Sequence, residues 1–225
     1  MFSVNCPHRP IYVHLCSIAI IKMEQPASLL SLYYFPPVNW FAALANAPAV
    51  HLEQHEHYIK GSYRNRCHIA AVNGVQRLTI PLRKGKNQQQ PIREVRIAYD
   101  EPWQMRHWRA ICSAYGNSPF FEHYAELFEP YFKAEKYELL WDWNYDLLMV
   151  SMKILKLKTP IILTEKYETQ PEQLLDLRSE FHPKEIMQSN DYKPIRYPQV
   201  FEDRLGFLEN LSVLDLIFCA GRINS

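Results

Sequence analysis

The sequence predicts an α+β fold, with a β-rich, hairpin-built N-terminal half followed by a helical C-terminal half in a single domain. Three observations carry that prediction. Strand-like runs fill Val50 to Ala98, and Asn73-Gly74, the strongest short hairpin signal in the chain, sits among them. From Trp103 to Leu157, apolar residues recur instead at three- and four-residue spacing, the signature of amphipathic helices. The 225 residues are 48% hydrophobic and 22% charged, enough apolar material for one good core. Strands first and helices after is the α+β order.

The elements follow in turn. Ala27–Phe35 reads as a buried first strand stopped by Pro36-Pro37, and Val38–Ala47 as a helix with Trp40, Phe41 and Leu44 on one side. Val50–Tyr58 and Tyr63–Val72 are two strand-like runs around Lys60-Gly61-Ser62, and Asn73-Gly74 joins Arg66–Val72 to Val75–Leu82. Lys84–Pro91 is a polar loop and Ile92–Ala98 a further strand. Trp103–Tyr115, Phe120–Phe132 and Tyr137–Leu157 are helices. Thr159–Thr164 is a short strand, Pro171–Leu177 a helical turn, and 177–196 mostly loop. The chain closes on a helix capped by Asn210 or Ser212 and stopped by Gly221; Ser212 and Asp215 outline a capping box. Residues 1–22 read as an extension outside a working domain of 23–225, with Met23 a candidate start. The extension's apolar run, Ile11–Ile21, is too short to span a bilayer.

Several function classes are disfavoured. A net charge of +1 gives no general pull toward nucleic acid, so no nucleic-acid partner is expected. Five widely spaced cysteines without a CxxC pair are neither a disulfide framework nor a zinc ribbon, and they suit reduced thiols in a cytoplasmic protein. Six glycines, none within ten positions of another, exclude GxGxxG, the P-loop and GxSxG. No cofactor follows from the residues.

Three stretches carry chemistry. In an extended strand His51, Glu53, His55 and His57 share one face; they read either as zinc-type donors or as a solvated strand face. Lys60, Arg64 and Arg66 supply cations, with the Asn65 amide beside them. They form either a phosphate or carboxylate clamp or an exposed basic strand. His107 follows Trp103 on one helical stripe and reads as a general acid or base, or as a partner of a nearby carbonyl. Cys67–His68 and Cys112–His107 lack the geometry of a Cys–His nucleophile, since the first pair faces opposite sides of a strand and the second is five apart on a helix.

Six local patterns, in order and spacing, resemble the WbqC-like family of bacterial surface-polysaccharide (O-antigen) clusters. They are YYFPPVNWF (33–41), YIKGSYRNRCHI (58–69), LTIPL (78–82), WQMRHW with AYGNSPFF (103–121), YPQVF (197–201) and GFLENLSVLDLIFCAG (206–221). Ser31-Leu32, Gln54-His55 and Cys219 depart from the family's pattern. The resemblance implies an acyl or aminoacyl transferase, with glycine as one candidate group, acting on an amino sugar carried on a nucleotide or lipid diphosphate. The alternative is a non-enzymatic binding or scaffold protein of the same pathway. On that resemblance Lys60, Tyr63, Asn65, Arg66, Trp103 and Gln199 form the substrate-binding set, and His107 takes the proton from the attacking amine. The protein would act in the cytoplasm or at the inner face of the membrane, and a homo-oligomer is compatible.

Overall fold

The computed structural model describes residues 25–83, 89–133, 135–183 and 195–222. The expected extension and most of the polar loop at 84–91 lie outside them. Four parallel strands make one sheet in the order β5–β2–β1–β6: β1 (Ser28–Ser31), β2 (Val50–Glu53), β5 (Ile161–Leu163) and β6 (Leu175–Asp176). A separate antiparallel hairpin pairs β3 (Arg66–Ala71) with β4 (Gly74–Thr79) through the predicted Asn73-Gly74 turn, with Gly74 at φ +118°. The helices are α1 (Val38–Asn46), α2 (Trp103–Tyr115), α3 (Phe121–Lys133), α4 (Leu140–Ile154), α5 (Glu202–Leu205) and α6 (Val213–Ala220). The fold is α+β, as predicted, although the main sheet takes two of its strands from the second half of the chain.

Four local expectations change, each for a physical reason. The first strand pairs only over Ser28–Ser31; beyond it the backbone turns at Phe35 (φ +41°), and the Tyr34 N–H goes to the Tyr63 carbonyl. β2 ends at Glu53 because the Glu53 carboxylate captures the His55 N–H at 2.8 Å, and Glu56 then turns inward. His51 and Glu53 therefore share a face, but His55 and His57 do not extend it. Ile92–Glu94 is a 3₁₀ turn rather than a strand, and only Arg96 and Ile97 make single bridges beyond it. Leu175–Asp176 is a strand rather than part of a helical turn. The free edge of β1 recruits it, through Leu175 N–H to Ala27 O and Leu177 N–H to Leu29 O, both 2.9 Å.

Register gives each face of the sheet its character. Leu30, Val50 and Leu52 join the main core with Trp40, Phe41 and Leu44 of α1. On the other face Asp176, Leu29, His51 and Ile162 form one row, and Ser31 lies beside Glu53 in the next. The helical layer packs around Trp141, Trp143, Phe128, Tyr115 and Phe218; each such ring buried contributes roughly 1.5–3 kcal/mol. Gly221 stops α6 as predicted. It sits at φ +70°, and an added Cβ would lie 3.0 Å from the Phe120 ring.

Candidate functional site

A basic cleft of about 220 Å³ gathers Tyr58, Lys60, Asn65, Arg66 and Arg83. The sequence builds it from a short chain of local devices. Gly61 turns at φ +90°, and the Ser62 hydroxyl donates to Ile59 O at 2.6 Å and accepts from Arg64 N–H. A 3₁₀ turn, Tyr63–Asn65, then feeds β3. Asn65 locks the wall: its Oδ1 accepts from the Tyr58 hydroxyl and its Nδ2 donates to Ile80 O, both 2.9 Å. Both polar atoms of its amide are thereby engaged, and one N–H of Nδ2 remains where it lines the cleft.

Arg64 does not join the clamp. It is buried against Glu56, with Nε to Oε1 at 2.9 Å and Nη2 to Oε2 at 2.5 Å, and the Ser31 hydroxyl bridges the pair. The free cations are the others. Among the described residues no carboxylate pairs with Lys60, Arg66, Arg77 or Arg83. Arg66 Nε is buried without a partner. Burial and then Arg77 hold the Arg66 pKa down, and burial, Arg66 and Arg77 do the same to His68, which faces Arg77 across the hairpin. Like charges crowded with no counter-charge cost energy, and an anion relieves that cost.

The other predicted residues fall elsewhere. His107 is enclosed: its Nδ1 lies 3.0 Å from the Tyr34 hydroxyl, and its ring meets Trp103 edge-on at 5.1 Å. Burial lowers its pKa to about 4, with a bond to the Thr79 backbone opposing the shift. It does not line the basic cleft. Trp103 is only 3% exposed and packs on Tyr99 and Trp143 as core, not as a sugar platform. Tyr63 is buried between Tyr33 and His68. Gln199 ties a loop together, donating to Leu208 O and accepting from Leu208 N–H. Behind it Asp215 is fully buried. Desolvation raises its pKa to about 6, and Tyr197, Tyr115 and Gln199 pull it back without reaching full hydrogen-bond geometry.

A larger cleft of about 620 Å³ lies on the face of the sheet that carries His51 and Glu53. The three histidines of the alternative zinc reading separate there. His51 lines the cleft, His55 Nε2 lies 3.0 Å from Thr164 O, and His57 bridges to Pro91. Among the described residues no three His, Cys, Asp or Glu side chains group as metal donors. Sequence reasoning missed Arg83 and the Glu53–Arg178 contact, which spans 125 positions and has no local signal.

The model of the WbqC-like protein family matches residues 32–191. The chain belongs to that family. A relative, the uncharacterized protein Rv1507c of Mycobacterium tuberculosis, is 24% identical over 210 residues, covering 84% of this chain and 90% of its own. No solved structure matches. In this WbqC-like protein the basic cleft lies wholly inside the matched stretch, whereas Gln199 and Asp215 lie beyond it. Among its described residues no helix is long and apolar enough to cross a membrane.

Proposed function

We propose that this WbqC-like protein holds the diphosphate of a nucleotide- or lipid-linked amino sugar in the Lys60–Arg66–Arg83 cleft. The bound sugar then receives an acyl or aminoacyl group during surface-polysaccharide assembly. One observation carries the binding half: cations gathered in a cleft without a carboxylate partner. The family resemblance supports the pathway and the transfer. In that transfer the sugar amine attacks the activated carbonyl, a C–N bond forms as the bond to the donor's leaving group breaks, and the amine's proton passes to solvent water. His107 is walled off from this step, so its role is to position β4 and Tyr34.

A second reading, binding without turnover, draws on the lining itself. The described residues around the basic cleft include no carboxylate and no imidazole to accept the amine's proton.

Titration calorimetry with inorganic pyrophosphate and with nucleotide amino sugars tests the binding half. Arg66→Ala should weaken both roughly tenfold or more, the worth of a lost charge-assisted hydrogen bond. Equal binding by wild type and variant would remove the cleft from consideration. Mass spectrometry of wild-type reactions with an activated amino acid decides between the readings: an amide product supports transfer, and bound ligand with no product supports binding without turnover.

A further inference from the structure

We infer that the larger cleft is a second ligand site, built to take a polyhydroxylated ring bearing a free amino group. Parallel sheets are ordinarily covered on both faces. Here α1 and the core cover one face, while the other is roofed by the segment between β5 and β6, leaving a cavity of about 620 Å³. That size lies within the range of small-molecule sites. The cavity also borders the carboxyl ends of β2 and β5, at Glu53 and Thr164, and open parallel sheets bind ligands beside such ends.

Its lining is polar and built. Glu53 is 0% exposed, and its carboxylate is fixed by the Thr164 hydroxyl (2.9 Å), the His55 N–H (2.8 Å) and Arg178 Nη1 (3.2 Å). Arg178 is itself held by Asp176 and lies over the Tyr167 ring. His51 stands one strand pitch before Glu53 on the same face, next to the buried Leu29. Leu29, which lies outside the main core cluster, gives the cavity an apolar floor. Among the described residues, Glu165, Glu168 and Glu172 stand around the rim with Lys166, which is already paired with Glu168 at 2.9 Å, while Arg178 is engaged by Glu53 and Asp176.

Carboxylates and an imidazole accept from hydroxyl and ammonium donors, and an apolar floor suits the face of a sugar ring. The same excess of carboxylates repels phosphate. The two clefts therefore select opposite charges. Reading the ring as an amino sugar rests on the reading above; the two clefts share no lining residue, so this site takes a separate sugar, and its binding is measured separately.

The probes are D-glucosamine, N-acetyl-D-glucosamine and inorganic pyrophosphate, titrated into the full chain by ligand-observed NMR. Glucosamine should bind more tightly than its N-acetyl form. The exposed charge reversal Glu165→Lys with Glu172→Lys should weaken glucosamine about tenfold and leave pyrophosphate unchanged. His51→Ala should weaken glucosamine too, and circular dichroism verifies that each variant is folded. Undetectable glucosamine binding, or binding indifferent to both sets of substitutions, overturns the inference. If pyrophosphate fails to bind while glucosamine binds as described, the basic-cleft reading falls and this one stands.

Discussion

His107 and Asp215 are both enclosed, and enclosure moves their proton affinities in opposite directions. His107 falls from the ordinary 6.5 to about 4, so between those values the unfolded chain holds a proton that the folded one does not. Its contribution to stability therefore disappears as pH falls through that window, by roughly 3 kcal/mol. Asp215 rises from 3.8 to about 6, so the folded state holds the extra proton, and stability falls as pH rises through that window, by a similar order. Between about pH 4 and 6 the two nearly cancel. Asp215→Asn removes one side of the balance: urea midpoints of the variant should climb from pH 4 to 6.5 while those of wild type stay nearly level. A variant profile parallel to wild type would contradict this assignment. That Lys60 and Arg66 line one cleft was legible, because their clustering is local. The burial of His107 was not, because Tyr34 and Thr79 reach it from 73 and 28 positions away.

The connection from β2 to β3 hangs on Glu56 and Arg64. Both are buried, and each supplies the other's counter-charge. Removing one partner strands the other in the interior, which costs about 3–5 kcal/mol, whereas replacing both with apolar residues costs less. Arg64→Met should thus lower the urea midpoint more than Arg64→Met combined with Glu56→Leu. A double variant no more stable than the single would show that the pair does not act as a unit. Arg64→Met alone should also weaken pyrophosphate binding, because Arg64 anchors the turn next to Arg66. At this scale the long helices and the Asn73-Gly74 hairpin were legible, since their periodicity and turn chemistry lie within one window of sequence. β6 was not. Its two residues carry no periodic pattern, and only the open edge of β1 makes them a strand.

Across the whole molecule the sheet joins the two halves that the sequence kept apart. β5 and β6 complete the edges of β2 and β1, and α6 packs against α3, α1 and β3. Neither half closes its own core. A fragment of residues 23–154 should therefore show little cooperative melting by circular dichroism, while the full chain melts in one transition. A sharp transition in the fragment would mean that residues 23–154 fold without β5, β6 and α6. The α+β class was legible because composition and pattern fix it; the order of strands in the sheet was not, because it depends on pairings more than 100 residues apart.

The roof of the larger cleft is fastened at its ends by a three-residue strand and a two-residue strand. Such short ladders open by local fraying at little free-energy cost, far below that of global unfolding. The amides of Leu175 and Leu177 should accordingly exchange with deuterium well before those of β3, and a sugar held beneath the roof should slow them. Ligand binding in this cleft should in turn raise the cost of that fraying, which makes deuterium exchange at the roof a readout of occupancy.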